Sequence, residues 1–293
     1  MGLPFVVSFH RKDPASEARL LSLSKTACKH LRRNIQAHSI SMPNPKLLVI
    51  LSSQDILPAT GNPTGWYLPE FAHPYYKLAE RVDITVASPK GGAAPVDPYS
   101  IESTKDDDMS QRFHSEKKAL FENTLPISSF IGKSGEFDAI FYVGGHGREL
   151  DSVGFFLVQP LLIQTPAAMF DLANDTTSHE LVREFYENEK IVSAVCHGPA
   201  ALANVRLSDG TYLVSGNIVT GLSNEEEEIL QFTKVMPFLL EDRLRQHGGQ
   251  YKKAAAPFTG NVVESGKGDR LITGQNPPSA GLVGEVLLRR LTT

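Results

Sequence analysis

Apolar and polar positions along the chain fall into short blocks that alternate between two periods. KLLVILSS, residues 46–53, is an apolar run ending in hydroxyl side chains, the pattern of a strand buried on both faces. EFAHPYYKLAER follows with helical spacing, then VDITVASPKGG as a strand with a glycine stop. EFDAIFYVGGHG predicts a third strand running into a glycine-rich turn. SHELVREFYENEK predicts an amphipathic helix whose Ser and Glu supply a start signal. IVSAVC predicts a fourth strand, and GNIVTGLS a fifth, with Asn224 capping the helix that follows. EDRLRQHGGQYKKA predicts a helix with a glycine stop, DRLITGQNPPSA a late strand and turn, and AGLVGEVLLRRL a closing helix. Strands alternate with helices, so the pattern predicts a parallel sheet with helices on both faces.

Two segments stand outside this order. Residues 1–41 carry Arg11, Lys12, Arg19, Lys25, Lys29, Arg32 and Arg33 against only Asp13 and Glu17. Two readings are open for them: a disordered extension, or a basic amphipathic presequence of the mitochondrial kind. After GGHG, the apolar stretch VGFFLVQPLLI has no clear period and is interrupted by Pro160. It reads either as an extra buried strand or hairpin, or as an inserted segment at about 148–168 that exposes an apolar patch.

Composition narrows the classes. The 293 residues are 41% hydrophobic and 21% charged, an ordinary globular balance, and the length suits one large α/β domain. The net charge of −4 gives no strong attraction to nucleic acid or to a membrane surface. Two cysteines cannot make a disulfide framework, which favours a reducing compartment and leaves each thiol free to react. Cys28 lies in the leader and is assigned no catalytic role.

Cys196 is the first candidate for chemistry. It sits between a strand and a helix, beside Ala194 and Gly198, as in a nucleophile elbow with Cys in place of Ser. Helix N-terminal amides aimed at the sulfur would lower its pKa. The alternative is an inert buried thiol. GGHG at 144–147 is either a plain turn or a loop whose amides, with that of His197, form an oxyanion hole. His197 is a candidate base, which a carboxylate from Glu225 to Glu228 could orient. The same acids, in a first helical turn, would also simply favour the helix dipole. Glu70 is a single acid in an aromatic context; burial near a sulfur would raise its pKa. His73, His146 and His197 lack close metal-ligand spacing, so no metal is expected.

AVCHGPA, GGHG, the acid of GWYLPEFAHPY and the late LITGQNPPSA, in this order, resemble the ThiJ/PfpI superfamily, and within it the fungal glutathione-independent glyoxalases (glyoxalase III, D-lactate dehydratase). The resemblance covers about 42–147 and 170–293. It implies a class I glutamine amidotransferase-like, flavodoxin-like α/β three-layer sandwich, a single domain over 42–293, with a mostly parallel central sheet. It implies Cys196 as nucleophile, Glu70 as the acid bonded to it, His197 and Glu227 as the other triad members, and the Gly145 and His197 amides as the oxyanion hole. It further implies a cofactor-independent lyase that turns a small 2-oxoaldehyde, methylglyoxal, into D-lactate in stress defence. The partners it implies are that substrate and a second copy in a homodimer, with no nucleic acid or membrane. The compartment implied is the cytoplasm, or the mitochondrion if residues 1–41 are an address. Relatives in the superfamily begin near Met42 and run almost directly from GGHG to MFDLAND, so the leader and the 148–168 insertion are departures. A stress holdase and a deglycase stay open as other functions, a cysteine peptidase less so. Amidotransfer is disfavoured by the missing late HxE pattern.

Overall fold

A computed structural model describes residues 43–58, 61–145 and 167–293. The expected leader lies outside these residues. So does the expected insertion, apart from Ala167 and Ala168, which are buried. The central sheet begins with β1 (Lys46–Ile50), β2 (Asp83–Ser88), β3 (Leu125–Pro126) and β4 (Ala139–Tyr142). It is completed by β5 (Ile191–Val195), β8 (Val262–Ser265) and β9 (Leu271–Gly274). A separate pair is made by β6 (Ile218–Val219) and β7 (Gln250–Tyr251). The seven strands run in the order β3-β2-β1-β4-β5-β9-β8, all parallel except β8, which pairs antiparallel with β9.

The period of two along each strand divides the core into two layers. Leu48, Ile50, Ile140, Tyr142, Val192 and Ala194 point to one face. There they meet Leu181, Val182 and Phe185 of α5 (Thr176–Glu187), and residues of α6 (Ala200–Ala203) and α8 (Leu240–Gln246). Leu47, Val49, Phe141 and Val195 point to the other face. This face is covered by Leu68, Phe71, Ala72 and Leu78 of α1 (Leu68–Leu78) and by Val283 and Leu287 of α9 (Ala280–Leu291). The remaining helices are α2 (Pro98–Ser103), α3 (Asp108–Glu116), α4 (Lys118–Glu122) and α7 (Asn224–Ile229). Among the described residues, no helix is long and apolar enough to cross a membrane.

Three expectations change. The strand expected in GNIVTGLS is only two residues long and pairs with β7, so it is not the fifth strand of the main sheet; β9 takes the place beside β5. Asn224 is the first residue of α7, and Ser223 is the cap. The start signal of α5 is the Asp175 carboxylate, which accepts from the Ser178 amide.

Candidate active site

Cys196 follows β5 on a sharp turn. Its φ is +59°, a left-handed conformation that costs a non-glycine residue about 1–3 kcal/mol. Backbone bonds hold it there. The Cys196 amide donates to the Gly274 carbonyl at 3.0 Å, and its own carbonyl accepts from the Leu222 amide at 2.9 Å. The Gly198 amide closes the turn on the Val195 carbonyl at 2.7 Å. A Cβ on Gly198 would lie 2.4 Å from the Tyr142 carbonyl, so the elbow packs onto β4 only because no side chain intervenes. Three neighbouring strands and loops therefore fix where the thiol stands.

Glu70 comes to the thiol from the first turn of α1. Tyr67, at the cap position of this helix, does not cap it with its side chain. The helix is capped from outside instead: the Leu68 amide donates to the Ser100 hydroxyl at 3.1 Å, which donates to the Asp97 carbonyl at 2.7 Å. The Tyr67 amide donates to the Gly144 carbonyl at 3.2 Å, joining this turn to the end of β4. The Glu70 carboxyl, fully buried, faces the Cys196 thiol and the Gly144 amide. Burial pushes its pKa up to about 8, and nearby Asp97 adds to the push. Asp97 itself is pushed up to about 7 by burial.

The thiol departs from expectation. Burial first, and then the Glu70, Glu226 and Glu227 carboxylates, push Cys196 well above its ordinary value rather than below it. The helix after the elbow, α6, is four residues long, too short a dipole to offset this. A thiolate here needs a cation close by.

His197 occupies that position. Its Nδ1 lies 3.6 Å from Cys196 Sγ and 3.1 Å from the Gly145 carbonyl oxygen. Its Nε2 lies 2.7 Å from Glu227 Oε1, and both side chains are wholly buried. A carbonyl oxygen only accepts, so the Gly145 contact puts a proton on Nδ1. With Nε2 at the Glu227 carboxylate, the ring stands between that acid and the thiol, placed to pass a proton between them. Of the four consecutive acids, Glu227 alone is bonded to His197 here. Glu225 pairs with Lys253, Glu228 with Thr233, and Glu226 turns to other partners. His73 pairs with Asp107 at 2.7 Å rather than with His197, and His146 lies outside the described residues.

Gly144 sits where these parts meet. A Cβ there would fall 2.5 Å from Glu70 Oε2, 2.7 Å from the Val195 carbonyl and 2.9 Å from the His197 amide. Gly144→Ala is expected to push Glu70 away from the elbow and cost about 1–3 kcal/mol by overpacking. Thermal melting checks this; an unchanged melting temperature would show that the loop yields freely.

A buried thiol on a strand-to-helix elbow, with a carboxyl on one side and a His–Glu pair on the other, defines a cysteine-centred protein of the α/β sandwich class. The fold is that of ThiJ/PfpI domain proteins. It is 27% identical over 264 residues to the glutathione-independent glyoxalase hsp3102 of Schizosaccharomyces pombe, covering 86% of this chain and 100% of that one. The solved structure of the Francisella tularensis Rapid Encystment Protein superposes with a TM-score of 0.72 at 29% identity, over 85% of this chain and 100% of the other. Glyoxalase III of Candida albicans shares the fold with a TM-score of 0.67 at 24% identity, over 84% and 96% of the two chains. No family model matches the chain.

Proposed function

We propose that this chain is a glutathione-independent glyoxalase that converts methylglyoxal and water to D-lactate on Cys196. The observation that carries the reading is the buried, mutually contacting set of Cys196, His197, Glu227 and Glu70 in a chain whose full-length relative hsp3102 is a glutathione-independent glyoxalase. The Cys196 sulfur attacks the aldehyde carbon, C1, and the thiol proton passes through His197 to the aldehyde oxygen, giving a hemithioacetal. Glu70 as carboxylate takes the proton from C1 and the C1 hydroxyl proton passes to the C2 oxygen, giving an enediolate; Glu70 then returns its proton to C2 as the C1 oxygen closes to a carbonyl. The product is the lactoyl thioester of Cys196. Water attacks its carbonyl carbon, the C–S bond breaks, the sulfur regains a proton, and lactate leaves. No external thiol is required because Cys196 takes that place.

Glu70 suits its double role. A group that titrates at about 8 has both acid and base forms populated near neutral pH. The Gly145 and His197 amides are the donors proposed for the developing oxyanion. The proposed substrate is a small 2-oxoaldehyde, and a second copy of the chain is the proposed partner. Incubation of the purified chain with methylglyoxal in the absence of glutathione is expected to release D-lactate, read with a D-lactate-specific dehydrogenase assay. No lactate, or lactate only when glutathione is added, overturns the reading.

A further inference from the structure

The late segment LITGQNPPSA takes no part in the chemistry above, yet two of its side chains converge on one buried carboxylate. Glu226 Oε2 accepts from the Ser223 amide at 2.9 Å, the Ser223 hydroxyl at 2.7 Å and Gln275 Nε2 at 2.9 Å. Glu226 Oε1 accepts from Asn276 Nδ2 and the Phe258 amide, both at 2.8 Å. The amide orientations are fixed independently. Gln275 Oε1 accepts from the Ala254 amide at 2.7 Å, and Asn276 Oδ1 from the Ser279 hydroxyl at 2.7 Å, so both nitrogens face Glu226.

A capping box accounts for the Ser223 bonds. It does not require the other three, which come from residues far along the chain. They tie the first turn of α7 to the ends of β8 and β9. The next residue on that turn is Glu227, bonded to His197 Nε2 at 2.7 Å. We propose that Glu226 is a positioning residue: clamped by Phe258, Gln275 and Asn276, it holds Glu227 on His197 and so governs the reactivity of Cys196, without bonding to either His197 or Cys196.

Glu226→Gln probes the clamp because each carboxylate oxygen serves at least two donors. Either orientation of the new amide turns its N–H groups against donors, leaving them unsatisfied in a buried place. Two effects on the thiol then oppose each other. The titratable groups facing Cys196 are Glu70 from α1, His197 on the elbow, and Glu226 and Glu227 from α7, with Asp97 behind Glu70. Loss of the Glu226 charge alone would move thiolate formation to lower pH. Loss of Glu227 from His197 removes the acceptor that holds the ring against the thiol and moves it to higher pH.

The test follows the thiolate by ultraviolet absorbance against pH, as the difference from Cys196→Ala, in Glu226→Gln, in the milder Ser223→Ala, and in Glu225→Gln as the surface control. The clamp predicts an upward shift of roughly one pH unit in Glu226→Gln, a smaller upward shift in Ser223→Ala, and none in Glu225→Gln. It also predicts a fall in kcat on the order of tenfold to a hundredfold in Glu226→Gln, with KM little changed. If Glu226→Gln does not fold, Ser223→Ala decides. A downward or absent shift in the folded variants overturns the proposal. The inference rests on Cys196 as the reacting thiol, but the absorbance readout needs no substrate. A chain that makes no lactate yet shows the upward shift would sink the glyoxalase reading and leave the clamp standing.

Discussion

Replacing Cys196 by alanine is expected to abolish lactate formation, a fall of roughly four orders of magnitude or more in turnover. No other thiol among the described residues can form the hemithioacetal. The fold is expected to survive. The bonds that hold the elbow run from the Cys196 amide to Gly274 and from the Leu222 amide to the Cys196 carbonyl, and both are backbone bonds. Removing one sulfur atom from a buried site costs about 1 kcal/mol, or roughly 2–4 °C in a chain of this length. Cys196→Gly gives a second readout. It also lacks the thiol, but it relieves the left-handed strain at φ +59°, so it should melt at or above Cys196→Ala. Lactate formation retained in either variant would remove the mechanism; a collapse of both folds would make Cys196 a packing residue instead.

Glu70→Gln is expected to lose about two to four orders of magnitude of activity, the usual worth of a general acid–base group, while becoming more stable than the parent as pH rises. The sign follows from the direction of the shift. The carboxyl titrates at about 8 in the folded chain, against 4.5 ordinarily. The folded state keeps a proton that the unfolded chain has released. The stability this group supplies is therefore present in full below about 4.5 and lost as pH rises through about 8. By pH 8 the loss is on the order of a few kcal/mol. Glutamine does not titrate, so the melting temperature of Glu70→Gln minus that of the parent should grow between these limits. Asp97 is also raised, to about 7, and is present in both chains, so only its coupling to Glu70 enters the difference. Melting curves at several pH values check this. A gap that stays flat with pH would mean that the Glu70 carboxyl is not kept neutral by the fold.

Much of the sheet was legible from hydrophobic patterning. β1, β4 and β5 are buried on both faces, and such strands write themselves as continuous apolar runs. β8 is not legible, for the converse reason. It is an antiparallel edge strand whose Val262, Val263 and Glu264 are only half-buried, and four residues of mixed polarity carry little signal. The two-residue β6 reads as a strand of the main sheet because its residues are as apolar as a core strand. Its pairing with β7 depends on a partner more than thirty residues away.

The site divides in the same way. The elbow was legible because a tight turn after a buried strand demands small residues, and Ala194 and Gly198 stand beside the cysteine. Ser223 and Glu226 form an S-x-x-E capping box, a signal that was there to be found. Nothing local distinguished Glu227 from its neighbours, since all four acids suit a helix start. Burial opposite His197 singles it out.

By itself, then, the sequence determined the element types, the parallel architecture and the place of the candidate thiol, because periodicity and turn chemistry are local properties of a chain. The tertiary structure alone decided the protonation chemistry. The rise of Glu70 to about 8, the rise of the Cys196 thiol rather than its fall, and the choice of Glu227 all depend on how much water is excluded and on which charges face one another. Those are distances between residues remote in sequence, and they exist only once the sheet and its two helical layers have closed.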